Sequence, residues 1–327
     1  MIEQSQFGKG EALHFFLSNA NGMKVGLTNF GARIVEALLP VEEDGGVRNV
    51  SLSGSTDEEY RRTDLYPGST IVPVAGRISG AQTEINGVKY CLTENEPGRT
   101  LHGGTDTANE QYWETSVEQE NTQVTFGITL KDGFDGFPGD VRVLATYRLS
   151  DENELFVEYR AESDKDTIFN PTNHVYFNLT GDFQQSVGEH QIRIAANRYV
   201  PLGEDNLPIG VLEEVIETPF DFRDFASFSQ GFNSQHTQNL LVKGYDHPWI
   251  LEDVATPVEV LSPDGKIKLS VVTNQPSVVI YTYNFPVEEL AAFHGAFILE
   301  CQGLPNACNV DRFGSILLEQ GDCFFSQ

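Results

Sequence analysis

Residues 123–163 place the tightest constraint on the fold. Val124, Phe126, Ile128 and Leu130 alternate with polar positions; so do Val141, Val143, Ala145, Tyr147 and Leu149, and again Leu155, Val157 and Tyr159. Side chains repeat every two residues along a strand and every 3.6 along a helix, so these runs predict strands with one buried face each. Residues 132–140, between the first two runs, are rich in glycine and aspartate. Consecutive alternating strands joined by such turns imply antiparallel sheets. Residues 12–18, 24–30, 31–35, 278–282 and 297–302 also read as strands, and residues 83–90 as a hairpin with Asn86-Gly87 at its tip. Glu42-Glu43-Asp44-Gly45-Gly46 reads as a polar hairpin tip, and residues 57–63 as a helical turn. Heptads, a long amphipathic helix, low-complexity tracts and a linker are all absent from the sequence. The expectation is one all-β domain spanning residues 1–327, with enough apolar and aromatic residues (22 Phe, 11 Tyr) for a large core.

Charge narrows the partners. With 48 acidic and 21 basic residues the formal net charge is -27, which repels polyanions. Nucleic acid and anionic membrane surfaces are therefore excluded as expected partners, and a phosphorylated substrate is disfavoured. The four cysteines form no CxxC pair, and the N-terminal residues carry neither a basic nor an apolar leader region, so a cytoplasmic protein with reduced thiols is expected.

Several polar residues sit in settings that do not suit them. Arg77 interrupts the apolar residues 71–78 and needs a partner, either an internal carboxylate or a ligand. His102 precedes two glycines whose bare backbone would let a ligand approach closely. His174 lies in Asn170-Pro171-Thr172-Asn173-His174-Val175-Tyr176-Phe177-Asn178-Leu179, where the alternation reads as a strand and the asparagines as local hydrogen-bonding partners of the histidine. Asp246 stands beside aromatics in Gly244-Tyr245-Asp246-His247-Pro248-Trp249, and Glu300 ends an apolar strand. Strands of a β-sandwich can bring such distant residues to one concave face. Their spacings match no zinc motif such as HExxH, and a G-x-S-x-G nucleophile elbow is missing, which leaves general acid/base chemistry as the expectation. Each residue also has a plain structural reading, with Arg77 and Glu300 pairing internally and His174 as a hydrogen-bonded core histidine.

In order along the chain, Leu101-His102-Gly103-Gly104, Thr172-Asn173-His174-Val175-Tyr176-Phe177-Asn178-Leu179, Leu207-Pro208-Ile209-Gly210, Phe220-Asp221-Phe222-Arg223, Gly244-Tyr245-Asp246-His247, residues 275–282 and Leu299-Glu300-Cys301-Gln302 resemble the motifs of the aldose 1-epimerases, or galactose mutarotases. The resemblance implies a large antiparallel β-sandwich of the galactose mutarotase type. It implies an enzyme that interconverts the α and β anomers of a free hexose such as galactose or glucose, without cofactor or metal, as a monomer or homodimer. By the same resemblance Glu300 takes the proton of the C1 hydroxyl and His174 protonates the ring oxygen, while Arg77, His102 and Asp246 bind the sugar. A hexose-6-phosphate 1-epimerase, a non-catalytic sugar-binding protein of the same fold and a glycosidase using Asp246 with Glu300 are the alternatives. The chain departs from the family's motifs at Pro73, Gly76, Val279 and Cys301, which removes polar groups expected around the sugar.

Overall fold

The computed structural model describes residues 1–41, 46–63, 65–287 and 290–327; of the expected hairpin tip at residues 42–46, all but Gly46 lie outside them. Among the described residues the strands form antiparallel ladders. The alternating runs become Gln123–Leu130, Val141–Leu149 and Leu155–Ser163, paired in that order with Glu114–Glu118 on one flank and Cys323–Ser326 on the other. Along Val141–Leu149 every second residue is buried, as the period requires. A second five-stranded sheet, Ile2–Gln6 through Arg48–Asn49, contributes Phe15, Leu17, Val25 and Leu27 to a core shared with Val124, Phe126, Val143, Ala145 and Tyr147. Phe126 is wholly buried there, and truncating such a residue to alanine costs about 3–5 kcal/mol.

The second half of the chain repeats the arrangement. Strands Ala226–Ser227, Gln191–Ile194, Val258–Leu261 and Lys268–Val271 form one sheet; Glu213–Glu214, Arg198–Tyr199, Asp246–Ile250, Ser277–Tyr281 and Ile298–Gln302 form another. Ile192, Ile194, Val258 and Val260 pack with Tyr199, Trp249, Val278 and Ile280 between them. The architecture is thus the expected antiparallel β-sandwich. The helices are short, Asp57–Tyr60, Ser229–Phe232 and Thr237–Val242, and no helix among the described residues is long and apolar enough to cross a membrane.

One expectation needs correction. The segment around His174 is a strand only at Thr172–Asn173; beyond it the backbone is irregular, with Phe177 bridging Ser51 and Phe297. Its alternation does not separate core from solvent. Val175 belongs to the first core, Leu179 to the second and Tyr176 to a third cluster with Tyr283 and Ile298, so both sides of the segment are buried.

Candidate active site

Glu300 is placed by register. In Ile298–Gln302 it pairs with Val279 of the neighbouring strand, and Val279 pairs in turn with Pro248. Directly opposed residues of antiparallel strands share a face, so Glu300, Val279 and Pro248 form a row across the sheet. Gln302 and Asp246 lie on that face too, and all five line one cleft. His174 extends the row on the other side of Glu300. The bridge between Phe177 and Phe297 is antiparallel, and continuing it three residues sets His174 opposite Glu300. The side chains meet there, with His174 Nε2 at 3.7 Å from Glu300 Oε1.

A buried cation fixes the loop that holds His174. Arg33 donates to the carbonyls of Phe30 (3.1 Å), Pro67 (2.9 Å) and Asn109 (2.6 Å) and lies over the Tyr60 ring. The loop it anchors then grips the histidine backbone: Gly68 N–H donates to the His174 carbonyl, and His174 N–H to the Ser69 carbonyl. Gly68 has a φ of +69°, and a Cβ there would come within 1.9 Å of the Ile34 carbonyl, so only glycine fits. The asparagines do not hold the imidazole as expected. Asn170 bonds both ways with Gly303, Asn173 donates to Gly68 and Tyr147, and Asn178 ties residues 182, 185 and 295 together. The His174 ring is instead boxed by the rings of His102, Tyr66 and Tyr176 at 5.1, 5.9 and 5.2 Å between centroids.

The opposite wall carries His102 and Arg77. His102 has a left-handed backbone, and its Nδ1 accepts from Gly76 N–H at 3.2 Å, which leaves Nε2 as the N–H donor of the neutral ring. The two glycines after it serve packing rather than ligand approach: a Cβ on Gly103 would meet the Val72 carbonyl at 2.9 Å, and one on Gly104 the Asp135 carboxylate at 2.5 Å. Arg77 has the internal carboxylate partner expected of it. It is bidentate to Glu96 (2.8 and 3.3 Å) and faces the cleft, with Nη1 at 3.6 Å from Asp246 Oδ2. Arg77, His102, His174, Asp246 and Glu300, far apart in sequence, are thereby brought to one site.

Burial dominates the electrostatics. Glu300, 5 % exposed, is pushed up to about 8 by desolvation, with Asp246 raising it further and Arg77 lowering it. Desolvation likewise lifts Asp246 to about 6 against the pull of Arg77, lowers His174 to about 3 and holds His102 well below the usual histidine range. At neutral pH the resting pair therefore holds one proton, on Glu300. The zwitterion, with that proton on His174, has the same proton count, and two opposite charges near 4 Å attract by about 4 kcal/mol at an effective dielectric of 20. This offsets roughly three of the five pH units separating the groups.

Among the described residues, His102, His174 and Glu300 form a group of possible metal ligands, their ligand atoms lying within 4.8 Å of one another. Tetrahedral zinc ligands at about 2.0–2.1 Å from the metal stand roughly 3.4 Å apart, so the three would have to draw together to share such an ion.

Some of the site was not foreseen. Glu96, which orients Arg77, and Leu202 and Asn206, which line the cleft beside Pro208 of the Leu207-Pro208-Ile209-Gly210 motif, carry no local signal in the sequence; they become visible only when the loops fold over the sheet. One expectation shifts. Cys301 pairs with Val278 on the opposite face from Glu300 and packs against the second core, its thiol pushed up to about 12 by burial, so it does not border the cleft. His247 is a structural residue, fully buried, bonded to Gln238 Oε1 at 3.0 Å and to Asp246 N–H.

Comparison with known proteins agrees with this arrangement. The profile of the family described as aldose 1-epimerase matches residues 14–326. The chain belongs to the aldose 1-epimerase family. Aldose 1-epimerase of Escherichia coli strain K12 is 34% identical over 319 residues, covering 94% of this chain and 89% of that protein. Galactose mutarotase of Rattus norvegicus is 32% identical over 336 residues, covering 98% and 95%. The crystal structure of galactose 1-epimerase from Lactobacillus acidophilus NCFM superposes with a TM-score of 0.88 at 28% identity, over 100% of this chain and 96% of that one. The epimerase is accordingly an isomerase whose substrate is an aldose sugar.

Proposed function

We propose that this epimerase interconverts the α and β anomers of a free, unphosphorylated hexose of the galactose or glucose type, with Glu300 as general base and His174 as general acid. The observation that carries the reading is the contact at 3.7 Å between two buried side chains, His174 and Glu300, the second of which lines the cleft. Glu300 takes the proton of the C1 hydroxyl while His174 donates to the ring oxygen; the C1–O5 bond breaks and C1 becomes an aldehyde. Rotation about C1–C2 turns its other face to O5. Reclosure, with His174 taking back the ring-oxygen proton and Glu300 returning one to O1, gives the other anomer. A sugar hydroxyl donating to Glu300 favours the carboxylate, and so favours the zwitterionic pair that this step needs. Arg77 and Asp246 grip hydroxyls on the far side of the ring, and His102 Nε2–H donates from above.

A neutral sugar is supported by the charges at the cleft. Arg77 is already met by Glu96 and Asp246, and Arg99 by Glu96 and the Asp205 carbonyl, so neither offers a free cation for a phosphate. The test is polarimetry on freshly dissolved α-D-galactose and α-D-galactose 6-phosphate. Catalysed decay with the free sugar at least tenfold faster in kcat/KM is expected; preference for the phosphate ester would refute the reading.

A further inference from the structure

The row across the sheet also orients the sugar, and from it we infer that this epimerase does not recognise the 2-hydroxyl of its substrate, because the C2 position lies against Val279. The inference rests on the acid/base reading above. The order along the row is His174, Glu300, Val279, Pro248. If the ring oxygen lies at His174 and O1 at Glu300, a path round the ring from O5 through C1 leads next to C2, on the side of Glu300 away from His174. The group one strand spacing (about 4.8 Å) beyond Glu300 on that side is Val279.

Val279 lines the cleft with two methyl groups and offers neither donor nor acceptor, and Pro248 behind it is equally apolar. The backbone offers little more: Val279 is paired in the ladder with Glu300, and Pro248 has no N–H and gives its carbonyl to Val200 N–H. The polar groups of the same face stand elsewhere. Asp246 is opposite Tyr281, one pair further along the sheet and turned to Arg77, in reach of hydroxyls beyond C2. Gln302 is opposite Ser277 in the other direction, with its Nε2 on the Gly303 carbonyl. A hydroxyl pressed against Val279 loses water without gaining a partner, so its removal costs the enzyme nothing. The substrate class then widens to 2-deoxyaldoses.

The experiment compares α-D-galactose with α-2-deoxy-D-galactose by polarimetry, each kcat/KM divided by the uncatalysed rate constant of that sugar in the same buffer. For the wild type the 2-deoxy sugar is expected at no less than about one fifth of the galactose value. A lower ratio overturns the inference, since losing a hydrogen bond to a charged or well-placed group costs tenfold or more. Val279→Thr, nearly isosteric, places a hydroxyl at C2 and is expected to shift preference toward galactose by about 2–10-fold; an unchanged preference in the folded variant overturns it too. Glu300→Gln separates the two layers. Turnover lost on both sugars keeps the acid/base frame, so that only the C2 assignment is at stake; turnover retained removes the frame and the inference with it.

Discussion

Replacing Glu300 by glutamine should raise the protein's stability relative to wild type on going from acidic to alkaline pH, and the size of that change follows from its surroundings. Burial raises the Glu300 pKa to about 8, against an unfolded value near 4.5. A group whose folded pKa is raised contributes its full stability below the unfolded value and loses it as pH climbs towards the folded one. Between pH 5 and pH 8 the folded protein thus holds a proton that the unfolded chain releases, and stability falls by about 3 kcal/mol on account of Glu300 alone. Glutamine has no such titration. Its fixed cost or benefit as a buried amide is the same at both pH values and drops out of the comparison. His174 titrates in both proteins and largely cancels as well. Specific unfolding entropies near 2.1 cal/mol/K per residue, over 327 residues, turn 3 kcal/mol into a shift of about 4 °C. The assay is thermal melting of wild type and Glu300→Gln at pH 5 and pH 8. The variant's Tm, relative to wild type, is expected to rise by about 4 °C between the two. A difference that stays constant within 1 °C would refute the reasoning, because it would mean that Glu300 ionises in the folded protein as easily as in water.

Two further outcomes concern catalysis. The catalytic pair needs one proton, lost near pH 8 from Glu300 and joined by a second only near pH 3 at His174; the enzymatic rate constant, after subtraction of buffer catalysis, should fall as pH rises through about 8, and a rate still rising at pH 9 contradicts this. Arg77→Met should raise KM by about 10–100-fold through the loss of charged hydrogen bonds to the sugar, with a smaller change in kcat, and should move the alkaline limb upward because Arg77 now holds the Glu300 pKa down; steady-state kinetics across pH reads both.

The fold was legible because period-two patterning survives wherever a sheet has one buried face, as in residues 123–163. Where both faces are buried the pattern misleads: Val175, Phe177 and Leu179 alternate, yet Val175 packs into the first core, Leu179 into the second and Phe177 against both, and the strand stops at Asn173. Arg77, His102, Asp246 and Glu300 line the cleft and His174 lies against Glu300 and His102; four of the five stood out because they sit in apolar, aromatic or glycine-rich stretches, where a charge or imidazole survives only with partners. Glu96 and Arg33 were not legible as supports of the site. A glutamate in a polar loop and an arginine among short strands look ordinary until the fold sets one against Arg77 and folds the other beneath the loop that grips His174. The direction of a strand residue is equally hidden without its register. Cys301 adjoins Glu300 in sequence yet faces the core, whereas Val279, twenty-one residues away, is its neighbour on the cleft face.

The central claim, that Glu300 and His174 move the protons of anomer exchange, is tested most directly by polarimetry of freshly dissolved α-D-galactose with wild type, Glu300→Gln and His174→Asn, each shown to be folded by melting. Positioned acid or base groups contribute roughly 10²–10⁴-fold, and each variant is expected to lose kcat by about that factor with little change in sugar affinity. Folded Glu300→Gln that exchanges anomers within about threefold of wild type would contradict the account, since the loss of a general base cannot leave so small a mark.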